Sequence, residues 1–259
     1  AVENSLGIET WMTGIVITAF SALVILGGIQ TISRASSVIV PVMALGYVAG
    51  GVTIIINNLE LVAPALKMIF TYAFTGEAAV GGAIGAAIRY GVARGVFSNE
   101  AGMGSAPIAA AAAKTDHPAR QGLVSMTGTF IDTIIVCSIT GIVLVMGYIM
   151  AGNSFGDQTG AVLTISAFDK LLPGIGGWIV TLGIIFFAYS TILGWSYYGE
   201  KCATYLLGEK FVLPYRIIYI ASVFIGCVAT LDLVWLFADT FNGLMAVPNL
   251  IALFLLSGV

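Results

Sequence analysis

The sequence predicts an all-α integral membrane protein. Hydrophobic residues make up 59% of the 259 residues, charged residues make up only 9%, and the mean hydropathy is +1.02. Soluble domains carry about 25% charged residues. Charge-free windows long enough to cross a bilayer cover residues 11–33, 35–59 and 171–199. Because these windows are much longer than the alternating strands of a membrane barrel, helix is the expected spanning element.

Four further stretches complete the predicted membrane crossings. They are residues 78–113, 122–151, 212–231 and 239–259. Together they predict a single transmembrane domain over residues 1–259, with seven crossings and with its termini on opposite sides. The mixed segment 60–77 is too short to cross and favours a helix lying at the external interface.

The charges between the predicted crossings indicate the orientation. Six bases fall in or beside alternate loops, namely Arg34, Lys114, Arg120, Lys201, Lys210 and Arg216. A basic excess marks the cytoplasmic side, so we expect the N-terminus outside the cell membrane and the C-terminus in the cytoplasm. Because most acids lie on the opposite side, the net charge of −3 implies no nucleic-acid partner.

The most informative stretch is RYGVARGVFSNEAGMGS at residues 89–105, which places two arginines, a glutamate and four glycines in an apolar chain. Ionisable groups at membrane depth face protein or water, and backbone unwinds there only where it lines a cavity. We interpret the region as a broken helix, with half-helices over 81–88 and 99–114 and the break over 89–98. Such a break suits a zwitterion or an ion.

The charged and polar residues of this region are candidates for stabilising the break or for forming an inner gate. Asn99 and Glu100 follow the predicted break, and Arg94 is the expected partner of Glu100. Asp132 lies inside the next crossing, so Arg89 or Arg94 is its expected partner. The alternatives are a structural ion pair for Asp132, and a cytoplasmic-edge helix whose two arginines reach the headgroups.

Several motifs resemble the alanine or glycine:cation symporter family. They are residues 89–107, AKTDHPARQG at 113–122, FIDT at 130–133, TILGWSYYGEK at 191–201 and DTFNGLMAVPN at 239–249. The resemblance implies sodium-coupled uptake of small neutral amino acids. It also implies an inverted-repeat transporter core of ten helices, of which this chain would supply helices four to ten and would be incomplete at the N-terminus.

The resemblance also implies site residues. Thr191 and Trp195 match the family's substrate-facing threonine and tryptophan, one helical turn apart. Ser190, together with Thr191, is the implied sodium site, because sodium prefers oxygen ligands. The alternative for Thr191 and Trp195 is a threonine bonded to its own helix and a tryptophan packed between helices.

The predicted broken helix supplies the other candidates for the substrate site. Ile84, Ile88 and Phe97 are expected to form an apolar wall, and core packing is the alternative for all three.

Other function classes are less well supported by the residues. His117 is the only histidine and precedes a proline in a predicted loop, which argues against a serine–histidine protease and a histidine metal site. We therefore expect no enzyme, and no cofactor besides the coupling ion. An ion channel and a non-transporting membrane scaffold stay open as alternatives.

Overall fold

The computed structural model describes residues 2–3, 7–74, 83–100 and 102–258, and it describes side chains in these ranges except at 73–74 and 83–90. The described residues form helices and no strand. The helices are α1 (Thr10–Leu26), α2 (Ile29–Asn57), α3 (Leu59–Phe74), α4 (Ala83–Asn99), α5 (Ala106–Ala110), α6 (Pro118–Phe130), α7 (Ser138–Met150), α8 (Gly160–Leu171), α9 (Gly176–Leu207), α10 (Val212–Val228) and α11 (Leu231–Leu256).

The helix lengths fit a chain that crosses a membrane several times. Within the described residues, five stretches are long and apolar enough to span: Ile29–Asn57, Pro118–Met150, Gly176–Leu207, Glu209–Val228 and Leu231–Leu256. Helix α1 is apolar but has only 17 residues. The predicted all-α class is confirmed, whereas the count of seven crossings and the inverted repeat stay predictions.

The first predicted window, 11–33, is wrong in its bounds. Helix α1 ends at Leu26, and α2 begins at Ile29 after a two-glycine turn. Gly28 has a φ of 76°, a left-handed conformation that glycine adopts without steric cost. A Cβ at Gly28 would also lie 3.1 Å from the guanidinium of Arg216. The turn consequently places Arg34 inside α2 rather than between two crossings.

Two clusters of buried apolar side chains hold the helices together. The larger one joins α2, α3, α7, α8 and α9 through Tyr47, Ile54, Ala65, Val143, Met146, Phe168, Leu171 and Val180. Gly147 lets α7 approach α8 closely, because a Cβ there would lie 2.9 Å from the Cα atom of Ala167. The smaller cluster joins α1, α2 and α9 through Ile25, Ile32, Leu193 and Tyr197. Helices α2 and α9 contribute to both clusters and therefore connect them.

The helix between α4 and α5 is interrupted at residues 100 and 102–105. This interruption lies later in the chain than the sequence suggested. Helix α4 continues to Asn99, so the expected break over 89–98 is wrong. The chain leaves the helix at Glu100, with a φ of 56°, and passes through Gly102 and Gly104, with φ values of 79° and 83°. Helix resumes only in the short α5, rather than across 99–114. The physical reason is that glycine does not by itself end a helix, so Gly91 and Gly95 stay within α4. Gly102 and Gly104 have positive φ values, which are incompatible with an α-helix.

Helices α6 and α7 are joined by a π-helical segment, Ile131–Cys137. A π-helix adds a residue to each turn and is often found at functional sites. Asp132 and Thr133 lie in its first turn, and the segment contacts α4. It therefore aims two polar side chains at the end of the interrupted helix.

Candidate functional site

The last turn of α4 is bound to the π-helical segment. The Ser98 hydroxyl lies 2.9 and 2.8 Å from the two carboxylate oxygens of Asp132, and the Asn99 amide donates to the Thr133 hydroxyl at 3.3 Å. The expected pairing of Asp132 with Arg94 is therefore wrong. The side chain of Arg89, the other expected partner, lies outside the described residues.

Arg94 instead binds helix α11. Its guanidinium donates to both carboxylate oxygens of Asp239, at 2.9 and 3.2 Å, and lies 3.8 Å from the centre of the Trp235 ring. Phe97 packs edge-on against the same indole, with ring centres 5.5 Å apart. Arg94 fails to meet Asp132 because α4 points this face toward α11. Asp239, the first residue of the predicted crossing 239–259, lies within α11, which begins eight residues earlier, at Leu231.

The interruption itself is also bound by α11. The Asn249 side-chain amide donates to the carbonyl of Gly102 at 3.0 Å. A Cβ on Gly104 would lie 3.0 Å from the Asn249 side chain. This contact and the positive φ of Gly104 both require a residue without a side chain.

Glu100 does not pair with Arg94, its expected partner, because Arg94 is bound to Asp239. The Glu100 carboxylate accepts a hydrogen bond of 2.7 Å from the Ser105 hydroxyl. Tyr198 of α9 lines the same cleft as Glu100. The Trp195 and Tyr198 rings meet edge-on, 5.8 Å apart. Ser105 of the non-helical turn lines a cavity together with both rings, so the turn lies beside the helix that carries the predicted substrate residues.

The hydroxyls of Ser190 and Thr191 donate hydrogen bonds within their own helix, α9. Ser190 and Thr191 both donate to the carbonyl of Phe187, at 3.0 and 2.8 Å. For Thr191 this is the bond that the packing alternative expected. A hydroxyl that donates one hydrogen bond still has lone pairs to offer a cation or an ammonium group. The role of these two residues stays a prediction.

A cavity of about 370 Å³ lies beside Trp195. Its lining comes from the interruption, α9, α10 and α11, and includes Met103, Ser105, Trp195, Tyr198, Tyr219 and Met245. The lining is mainly apolar, as in most small-molecule sites. Phe97 and Thr191 do not line this cavity, so the structure brings Trp195 to the interruption without gathering all the predicted substrate residues.

A larger, open cleft of about 960 Å³ lies on the other side of the interruption. Its polar lining includes Ser98, Asn99, Glu100, Gln121, Thr129 and Asp132. Two carboxylates face the cleft, and its lining includes no basic side chain from the described part of the chain. A lining of this kind favours a cation over an anion.

A largely buried ion pair joins α9 and α10. Arg216 of α10 donates to both carboxylate oxygens of Glu200 on α9, at 2.6 and 3.1 Å, and also to the carbonyl of Leu26 at 3.0 Å. The two side chains are 17% and 11% exposed. Arg216 thus joins the end of α1 to α9, whereas the sequence suggested only a loop charge.

Sequence reasoning missed several residues that hold the interruption. They are Ser98, Thr133, Trp235, Asp239 and Asn249. All of them except Trp235 lie in runs that carried the resemblance, at 89–107, 130–133 and 239–249, but the resemblance gave them no role. The side chains of Ile84 and Ile88, predicted for the apolar wall, lie outside the described residues.

Comparison with known proteins identifies the family. The model of the sodium:alanine symporter family matches residues 1–259. The chain is 57% identical over 259 residues to the sodium/alanine symporter AgcS of Methanococcus maripaludis, an alignment that covers 100% of this chain and 57% of that protein. It is 38% identical over 262 residues to the probable sodium/glutamine symporter GlnT of Bacillus subtilis, covering 100% and 54% of the two chains.

A third relative is the sodium/proton-dependent alanine carrier protein of Bacillus sp. strain PS3, which is 33% identical over 270 residues, with 98% and 60% of the two chains covered. The chain thus spans 54% to 60% of the length of these three relatives. The matched proteins are transporters, which confirms the expectation that the chain is not an enzyme. The chain belongs to the sodium:alanine symporter family of multi-pass membrane proteins.

Proposed function

We propose that the full-length protein carries small neutral amino acids, alanine or glycine, into the cell together with sodium by alternating access. Family membership and the names of two relatives, which include sodium and alanine, support this proposal. The observation that carries it is the helix interruption at residues 100 and 102–105, which lines a cavity together with Trp195 of α9. Unwound backbone in a membrane protein is tolerated where it lines a cavity, and a cavity lies on each side of this interruption.

The substrate is proposed to lie between the interruption and α9. Trp195 limits the space available to the substrate side chain, and Thr191, one turn earlier, offers its hydroxyl to the ammonium or carboxylate group. Ile84, Ile88 and Phe97 of α4 supply the remaining apolar wall. Support comes from the position of Trp195, which lines a cavity together with the interruption.

Sodium is proposed to bind at the hydroxyl oxygens of Ser190 and Thr191. Both hydroxyls donate to the carbonyl of Phe187, which leaves their lone pairs available to a cation. The negative cleft beside Glu100 and Asp132 adds a favourable potential for a cation near the interruption. Sodium moving down its gradient would then supply the driving force.

The charged residues around the interruption are proposed to act as gates. They are Arg89, Arg94, Asn99, Glu100 and Asp132, which lie in or near the interrupted region. Arg94, Asn99 and Asp132 each make a hydrogen bond to another helix or to the π-helical segment. Their bonds would be made and broken as the bundle alternates.

The architecture proposed for the full-length protein is the inverted-repeat core of ten helices, of which this chain supplies helices four to ten. In it the N-terminus of the chain faces outside, the C-terminus faces the cytoplasm and the segment 60–77 lies at the external interface. The 16-residue helix α3, too short for the set of spanning stretches, supports the last of these assignments.

The test is alanine uptake by proteoliposomes that contain the full-length protein. Saturable accumulation that needs an inward sodium gradient is the expected result. Ion current without accumulation would instead indicate a channel, and neither activity would indicate a scaffold. Equal accumulation under sodium, choline and proton gradients would contradict sodium coupling.

A further inference from the structure

We propose that the side chain of Tyr198 is a gate between the cavity beside Trp195 and the open cleft, and that it opens by turning into a third cavity. The inference rests on the proposed function, in which the substrate lies between the interruption and α9. It assigns to Tyr198 the control of a path rather than a contact with the substrate.

Tyr198 lies at the boundary between two spaces. Among the described residues, Gly104 and Tyr198 are the two that line both the cavity of about 370 Å³ and the cleft of about 960 Å³. Because Gly104 carries no side chain, the Tyr198 ring is the side chain that the two linings share. The ring also meets the Trp195 ring edge-on, with centres 5.8 Å apart. The Tyr198 ring therefore separates the space beside Trp195 from the cleft.

The part of the cavity next to the interruption is closed to solvent. Met103 and Ser105 line the cavity there, and they are only 2% and 1% exposed. On the cleft side, the Asn249 amide holds the backbone by donating to the carbonyl of Gly102, at 3.0 Å. A side chain changes its rotamer without any movement of the backbone. Tyr198 is therefore the part of this boundary that can move while the bond from Asn249 stays intact.

A third cavity, of about 360 Å³, gives the Tyr198 ring a place to turn into. Tyr198 lines it together with small residues, among them Ala109, Ala112 and Gly194. Gly194 lies one turn before Tyr198 on α9, and a Cβ there would meet no described atom within 4 Å outside the local helix. Cavities of about 300–1,000 Å³ accept drug-sized ligands, so this one accepts a phenol ring.

The cleft provides the path that the open gate would join. Its lining includes Ala113, Thr115 and Pro118, which belong to the connection between α5 and α6 and to the first residue of α6. In the proposed orientation this connection faces the cytoplasm. A turn of the Tyr198 ring would thus connect the space beside Trp195 with the cytoplasmic side and release the substrate there.

The test measures how fast a charged, membrane-impermeant methanethiosulfonate reaches the cavity in the full-length protein. Met103→Cys in a background without other cysteines is the reporter, since Met103 lines the cavity and not the cleft. The reagent is added to inside-out membrane vesicles, and mass spectrometry follows the labelling. Alanine uptake with an inward sodium gradient is measured on the same variants without the reporter.

Tyr198→Ala should raise the labelling rate by at least about tenfold, because labelling follows the fraction of molecules in which the path is open. Tyr198→Phe keeps the ring and should label at the rate of the reporter alone. The matched control is Tyr219→Ala, since Tyr219 lines the cavity but not the cleft. This change enlarges the cavity without opening the boundary, so the labelling rate should stay unchanged.

Gly194→Leu tests the direction in which the ring turns. The leucine side chain fills the third cavity from the same face of α9, so the ring keeps its closed position. Labelling and alanine uptake should both fall below those of the wild-type background. This variant adds a good helix former to a helix interior, so the fold should be kept.

Several results overturn the inference. Labelling at the same rate with and without Tyr198→Ala would show that the ring does not close the path, and equal acceleration by Tyr219→Ala would show that cavity size alone controls labelling. If Tyr198→Ala does not fold, Gly194→Leu decides, and unchanged labelling and uptake would contradict the gate. Failure of wild-type protein to accumulate alanine with sodium overturns the proposed function instead, and labelling still decides whether Tyr198 separates the two spaces.

Discussion

The guanidinium of Arg94 on α4 makes a two-point salt bridge with the carboxylate of Asp239 on α11, with nitrogen–oxygen distances of 2.9 and 3.2 Å. Trp235, one turn before Asp239, lies beneath the same guanidinium. This arrangement uses the planar fork of arginine twice, for a bidentate ion pair and for a cation–π contact. It binds the interrupted helix to α11 through contacts that a conformational change would have to break or carry along.

Asp239→Asn should reduce alanine uptake by about tenfold or more, because it leaves the Arg94 charge without its counter-ion at membrane depth. Arg94→Lys should have a smaller effect, since it keeps the charge and loses the bidentate geometry. The measurement is initial uptake rate normalised to protein in the membrane. Full activity of Asp239→Asn would show that the pair has no part in transport.

Gly104→Ala should lower thermal stability and uptake together. Gly104 has a φ of 83°, and an added Cβ would lie 3.0 Å from the Asn249 side chain. The matched control is Gly95→Ala in α4, where the backbone is helical and no described atom outside the local helix lies within 4 Å of the added Cβ. We expect the control to equal wild type or to be slightly more stable. Equal melting temperatures for the two variants would contradict the placement of the interruption.

Replacement of one partner of the Glu200–Arg216 pair should destabilise the protein strongly. The remaining charge would be buried without a counter-ion, which costs about 3–5 kcal/mol. Arg216→Met should have the larger effect, because it also removes the bond to the Leu26 carbonyl. The double variant Glu200→Gln with Arg216→Met should recover part of the loss. Thermal unfolding in detergent measures all three, and additive losses would contradict direct coupling.

Thr191→Val and Ser190→Ala should distinguish an effect on substrate binding from an effect on sodium binding. Thr191→Val removes the hydroxyl with little change in shape and should raise KM for alanine. Ser190→Ala should raise the sodium concentration that gives half-maximal uptake. The control is Ser196→Ala on the same helix, because its hydroxyl also donates to a backbone carbonyl three residues earlier, at 2.7 Å. Identical behaviour of all three variants would favour the packing alternative for Ser190 and Thr191.

The sequence predicted the long apolar helices well, because twenty or more apolar residues in a row leave few other structures. It did not predict where the interruption lies. Gly91 and Gly95 look the same in sequence as Gly102 and Gly104, and a helix accepts all four. The last two leave the helix in the structure, where Asn249, 147 residues away from Gly102 in the chain, binds the interruption.

The partners of the charged residues were also not predictable from the sequence. Arg94 was expected to pair with Asp132 or Glu100, which are near in sequence, but its partner Asp239 is 145 residues away. Which helix faces Arg94 depends on the packing of the whole bundle, and no local pattern encodes it. The π-helical turn that carries Asp132 has no known sequence signal, so the bond from Ser98 was not predictable either.

The most direct test of the proposed site is the substrate range of Trp195→Ala in proteoliposomes with an inward sodium gradient. Trp195 lies next to the interruption and lines the adjacent cavity. The account predicts that wild-type protein accumulates alanine but not leucine, and that Trp195→Ala accumulates both in a sodium-dependent manner. An unchanged preference for alanine in Trp195→Ala would contradict the placement of the substrate against α9.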